Sequence, residues 1–349
     1  MRPVPSPGAR AIVGGLTWLC FLLIRRPSIS SAEWPSALLL LAPLVLVPLM
    51  QQVLSTDFAD GWPRRAWFAA SVLQLPAAVL LAGAFLLPTG LAAGACALPW
   101  LLTTSLIAFA GLGRAFARRG LPLAELSIDA GLVYIAVGGG WTVMSRAGIQ
   151  PLAFAPLIVL LTAVHFHHAG FTLPLLSGLA ARHRPGARAR LATAGVVAGV
   201  PLVAAGITAA QLGFGSTLEM FAAVVTATGG LFTATMYLRL AWESRWPAWS
   251  RVSWATAALT LVAGMEVAAL YGLRHVYPVS WLSVPWMWRW HGTANALGFG
   301  LVGTVGWLLV RRQHPPGTGR TISRQARARV APPCAAPCAP CRALSACGN

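Results

Sequence analysis

The stretch PLAFAPLIVLLTAVHFHHAGFTLPLLSGL, residues 151–179, contains no Asp, Glu, Lys or Arg. At 1.5 Å per residue, a helix of that length exceeds the roughly 30 Å hydrocarbon core of a bilayer. Its prolines do not exclude a helix, because membrane helices accept Pro and Gly where neighbouring helices reclaim the freed backbone groups. The same signature recurs outward from it. Apolar runs at 34–54, 66–87, 91–113 and 121–144 precede it, and runs at 191–213, 217–242, 252–273 and 285–310 follow, each bounded by charge, proline or glycine. A further run, 11–24, is confined between Arg10 and the pair Arg25 and Arg26. Its 14 residues make a weak span, and no small-residue cleavage site follows, which favours a retained helix over a signal peptide. The expected fold is all-α, a polytopic transmembrane helical bundle of about ten spans over residues 1–310.

Composition agrees. A chain of 349 residues that is 57% hydrophobic and 10% charged, with mean hydropathy +0.68, lacks the polar surface a soluble globule of its size needs. The basic balance consists of 26 Arg and no Lys against 8 acids, a bias typical of GC-rich genomes. These arginines sit mainly in short loops between apolar runs, where membrane orientation accounts for them, so no nucleic-acid partner is expected. Alternate loops carry Arg64 and Arg65, then Arg114, Arg118 and Arg119, then Arg182, Arg184, Arg188 and Arg190, then Arg245 and Arg251, then Arg311 and Arg312. Those loops should be cytoplasmic, which places both termini inside a bacterial inner (plasma) membrane. Arg25 and Arg26 oppose this scheme: they face outward beside Glu33 unless 11–24 is a shallow re-entrant piece.

From residue 311 onward the apolar character gives way to Arg, Pro, Ala and Cys, with seven arginines and no acid, so 311–349 reads as a disordered, basic, Pro/Cys-rich cytoplasmic tail. The spacing of Cys334, Cys338, Cys341 and Cys347 would suit zinc, but the residues that usually pack around such a site are missing, and incidental cysteines are the simpler reading. Cys20 and Cys96 lie in apolar runs.

Ionisable groups within hydrocarbon cost several kcal/mol unless paired or hydrated, which makes each a functional candidate. His165, His167 and His168 fall near the middle of their run; His165 and His168 share a helical face and His167 points away. In WMWRWHGTANALGFG, His291 and Asn295 are four apart on one face, with Gly292 and Gly298 giving neighbouring backbones room. Glu266, in LVAGMEVAALY, also falls near the middle of a span and needs a partner. The simplest arrangement brings His165, His168, Glu266, His291 and Asn295 around one cavity. Imidazoles there would serve proton or substrate handling, metal ligation by His165, His168 and His291 with Glu266, or plain hydrogen bonding between helices. The residues leave these three open, and no cofactor is named.

The remaining acids read more simply. Glu125 and Asp129 share a face near the end of a span, where arginines of an adjacent loop can meet them. Asp57, Asp60, Arg64 and Arg65 read as solvated loop charges, and Glu219 as a helix-start residue with Ser216 capping. Gly298, Val302 and Gly306 would let helices approach closely. Tryptophans such as Trp242, Trp249 and Trp290 read as interfacial anchors, those around His291 also as a vestibule for an apolar or cationic ligand. The chain has no Walker loop, dinucleotide glycine fingerprint, HExxH or aspartate-rich diphosphate motif, which disfavours ATP-driven transport, zincin-type proteolysis and prenyl transfer.

The pair HFHHAGFTLPLL (165–176) and HGTANALGFG (291–300) resembles the YndJ-like family of bacterial membrane proteins, over most of the membrane domain. The resemblance implies a polytopic membrane protein for which transport is the usual suggestion, with no settled substrate. Position by position it singles out His165, His167, Gly170, Phe171, His291, Gly292, Asn295 and Gly298, and it places His168 where family members are expected to vary. Three functions remain: a small-molecule or proton-coupled transporter, a membrane-embedded enzyme acting on a lipid-like or isoprenoid substrate, and a structural or accessory subunit. The expected partners are membrane lipid and a small apolar or amphipathic molecule.

Overall fold

The computed structural model describes residues 5–313 apart from 59, 119 and 121. The tail from 311 therefore lies, save for 311–313, outside the described residues, as do its four cysteines. The described residues form ten helices long and apolar enough to cross a membrane: α1 Pro7–Arg25, α2 Trp34–Val53, α3 Trp62–Ala84, α4 Leu91–Phe116, α5 Leu123–Ala147, α6 Pro156–His183, α7 Ala187–Gln211, α8 Thr217–Trp242, α9 Ala248–His275 and α10 Val284–Gln313. None of the described residues is in a strand.

α1 is longer than its apolar run. Ser6 Oγ accepts from the Ala9 amide at 3.2 Å and Pro7 opens the helix, as its fixed φ favours. Arg10, a boundary in the sequence, is buried inside the helix: its guanidinium donates to Gln51 Oε1 at 2.7 Å, the Ser71 carbonyl at 2.9 Å and Gln74 Oε1 at 2.9 Å. Opposite ends of α1 therefore behave differently, since Arg25 is half-exposed and pairs with Glu33 at 2.7 Å. α1 leans on α2 through Gly14, where a Cβ would fall 1.8 Å from the Leu44 carbonyl oxygen.

Consecutive helices pair antiparallel, α3 with α4, α4 with α5, α7 with α8 and α8 with α9. Gly195 and Gly229 let α7 and α8 touch at the backbone, a Cβ on either meeting the other chain segment within 3 Å. α2 is apolar on every side, and Leu38 to Leu41 are sealed from solvent, as such a helix requires. It packs on α6, which in turn meets α5, α7 and α10. Gly298 and Gly306 of α10 seat Thr260 and Trp254 of α9, as the small-residue spacing suggests.

At the arginine-rich end, Arg114 of α4 and Arg118 of the loop after it meet Asp129 of α5, Arg114 also meets Glu125, and Arg182 of α6 holds Glu125 at 2.7 Å and Asp57 at 2.6 Å. Asp57 is thus no solvated loop charge: the turn after α2 tucks it under Arg182 with 15% of its side chain exposed, while the neighbouring Asp60–Arg64 pair stays in solvent. Glu125 and Asp129 thus meet one arginine of the adjacent loop, Arg118, as expected, and two that stand on helices, Arg114 of α4 and Arg182 of α6.

Candidate functional site

α6 runs regularly to His167 and then widens into a π turn over His168–Thr172. A π turn inserts a residue into the helical ladder, and such turns recur at functional sites. Three adjacent histidines acquire three different environments. His167 is fully buried; its Nδ1–H donates to the Ala163 carbonyl at 2.8 Å, which fixes the tautomer, and its Nε2 accepts from Trp100 Nε1–H at 2.9 Å. Both nitrogens are satisfied, so His167 ties α6 to α4. His168 donates from Nε2 to the Leu38 carbonyl of α2 at 2.9 Å, leaving a buried Nδ1 lone pair with no protein partner. His165 makes no hydrogen bond to the described residues, and its buried Nε2 has no partner.

α10 is distorted too, with π geometry over Met287–Gly292 and Ala294–Leu301. Hydroxyls bond carbonyls five residues back in these wide turns, Thr172 to His167 at 3.2 Å and Thr293 to Trp288 at 3.3 Å. His291 donates from Nδ1 to the Gly264 carbonyl of α9 at 2.8 Å, and Asn295 Nδ2 lies 3.2 Å from that Nδ1 and 3.4 Å from Nε2, where only the Nε2 lone pair is left to accept from it. Asn295 lies over Gly264, where a Cβ would fall 2.7 Å from the amide, and its Oδ1 has no partner. The irregular segments of α2, α6 and α10 converge at Gly300, which lies against Leu46 and Thr172.

These elements enclose a cavity of about 560 Å³ between α6, α7, α8, α9 and α10. His165, His168, His291 and Asn295 line it together with Leu173 and Phe299, and most of the remaining wall is apolar. Glu219 of α8 and Arg274 of α9 also line it, paired at 2.8 Å, with the guanidinium 4.1 Å over the Tyr271 ring. Sequence reading missed this pair and took Glu219 for a capping residue; Ser216 makes no side-chain cap, and Glu219 turns instead to α9. The signal was available, since antiparallel neighbours place the start of one helix beside the end of the next.

Glu266 is the clear departure from expectation. It is exposed, lies outside the cavity, and makes no hydrogen bond or ion pair among the described residues. Gly264 and Met265 take the faces of α9 toward α10 and the cavity, and Glu266 follows on the outward face. The metal set of His165, His168 and His291 with Glu266 is not assembled either: no group of three His, Cys, Asp or Glu among the described residues could hold an ion. His168 and His291 each turn one nitrogen onto a backbone carbonyl, and the carboxylate faces away. Nor is the site central along its helices. α6 begins at Pro156 because 151–153 form a separate turn, so His165 is nine residues from one end and eighteen from the other, about 13 and 27 Å. Of the tryptophans around His291, Trp288 reaches the cavity, whereas Trp290 is 52% exposed and stacks on Trp286.

The YndJ-like protein family matches residues 37–299. Over 306 residues, 85% of this chain, the sequence is 30% identical to the "Uncharacterized membrane protein YndJ" of Bacillus subtilis (strain 168). The chain spans about half, 52%, of that relative's length. No solved structure matches the chain. The family match opens within α2 and closes within α10, so it takes in the cavity's histidines, Asn295 and the Glu219–Arg274 pair and leaves α1 outside. The chain is an integral membrane protein and belongs to the YndJ-like family.

Proposed function

We propose that the cavity binds a small amphipathic molecule and that the protein is a transporter for it. One observation carries this reading: a mostly apolar cavity of about 560 Å³ holds, at its lining residues, buried polar atoms on His165, His168 and Asn295 that no protein group satisfies. Unpartnered buried polar atoms are rare in folded proteins and point to a bound partner. The widened turns of α6 and α10 beside it resemble the interrupted helices that carry substrate sites in transporters. In this reading the arginine-rich end faces the cytoplasm of a bacterial inner (plasma) membrane, both termini lie inside, and the Glu219–Arg274 pair marks the opposite mouth. Enzymatic acid–base or metal-assisted chemistry is the weaker reading, because Glu266 faces away from the imidazoles.

Proteoliposomes holding an entrapped pH dye and an imposed pH gradient test the proposal, with a panel of amphipathic solutes added outside. Some solutes should change the gradient with the wild-type protein and not with Ala204→Trp, which fills the cavity from α7. A panel in which the two proteins never differ would contradict proton-coupled transport of those solutes.

A further inference from the structure

We propose that the cavity's ligand carries a neutral hydroxyl head group on an apolar tail; this rests on the reading of the cavity as a binding site. The argument is one of fixed hydrogen-bond roles. A backbone carbonyl can only accept, so the bond from His168 to the Leu38 carbonyl puts the proton on Nε2 and leaves Nδ1 a lone pair. The bond from His291 to the Gly264 carbonyl puts its proton on Nδ1 and leaves Nε2 a lone pair. Asn295 turns its amide nitrogen toward His291, and its Oδ1 is left over as an acceptor. Among the lining residues, Trp288 Nε1–H is a buried donor without a partner. His165 has no bond that fixes its tautomer, so it presents either a proton or a lone pair.

The lining of the cavity thus offers acceptors on His168 and Asn295 and a donor on Trp288. A head group that only donates, such as an ammonium, leaves the indole unpaired, and one that only accepts, such as a carboxylate, leaves the lone pairs unpaired. A hydroxyl donates once and accepts twice, so it pairs the indole and one of the two acceptors at a time and leaves neither role wholly unmet. Charge argues the same way. Glu219, the acid among the lining residues, is paired with Arg274, and Glu266 takes the outward face, so no free carboxylate of the lining offsets a cationic head, and neutral imidazoles offset neither sign. The apolar wall, from Ile158 to Val203 and Met265, takes the tail.

The test compares four probes with one tail, 1-dodecanol, dodecyl methyl ether, dodecanoate and dodecylammonium, for saturable binding to the full chain in nanodiscs of neutral lipid, with Ala204→Trp defining the cavity-dependent part. Dodecanol should bind saturably and at least about tenfold tighter than each of the others, as expected where a site built around a hydroxyl meets an analogue lacking it. If the carboxylate, the ammonium or the ether binds as tightly as the alcohol in a cavity-dependent way, the hydroxyl assignment is overturned and the binding cavity stands. If none of the four shows cavity-dependent binding, the reading of the cavity as a binding site falls, and this inference with it.

Discussion

His168 Nε2 lies 2.9 Å from the carbonyl oxygen of Leu38, a hydrogen bond that crosses from the π turn of α6 to the most buried helix of the bundle. It does two things at once. It joins α6 to α2, and it fixes which nitrogen of His168 remains to meet a ligand.

Replacing His168 separates these roles. His168→Leu leaves the Leu38 carbonyl unsatisfied in a dry interface, and stability should fall by about 1–3 kcal/mol, measured as a lower unfolding midpoint in detergent. It should also abolish the preference for an alcohol over its methyl ether. A variant as stable as the wild type would show that this bond is not formed.

His167 is a structural pin. His167→Phe removes bonds to both Ala163 and Trp100, and should cost about 2–3 kcal/mol of stability while leaving ligand preference unchanged in the folded fraction. In a double-mutant cycle with Trp100→Phe the two effects should fall well short of adding, because the indole and imidazole share one bond. Full additivity would contradict the pairing.

Glu266→Gln removes a carboxylate, unpaired among the described residues, from the outward face of a membrane span, so it should leave stability unchanged or raise it, and should leave cavity-dependent binding intact. Loss of binding in this variant would return Glu266 to the site and undo the placement of α9.

Asp129→Ala strips Arg114, which is 6% exposed, and Arg118 of a shared carboxylate. Leaving a buried guanidinium short of one of its carboxylates, with Glu125 still in place, should destabilise the bundle by about 1.5–3 kcal/mol, seen as a lower unfolding midpoint. The exposed pair Asp60–Arg64 serves as control, and its removal should be nearly silent.

Much of the fold is legible in the sequence because a membrane span announces itself by length and apolarity. All ten helices coincide with apolar runs, and the His165–His168 and His291–Asn295 pairs fall together because period 3.6 puts each pair on one face. Arg10 hides the true start of α1, since a charge normally ends a span and here it is buried on Gln51 and Gln74 of other helices. The π turns are equally hidden: nothing local in HAGFT or ANALGFGL demands an extra residue per turn, and the widening is set by packing among α2, α6 and α10. Glu266 misleads for a related reason. Sequence depth fixes how far along α9 it lies, whereas the face it takes depends on Gly264 and Met265 docking on α10 and the cavity.

The central claim is that the space between α6, α9 and α10 is a ligand site. A photoreactive diazirine analogue of dodecanol, irradiated with the full chain in nanodiscs and mapped by peptide mass spectrometry, tests it most directly. Labels should concentrate on residues 158–173 and 284–299, fall away with excess dodecanol, and vanish from those segments in Ala204→Trp. Labels spread along exposed faces such as those of Leu91, Phe116 and Leu259, and undiminished by competitor, would contradict the account.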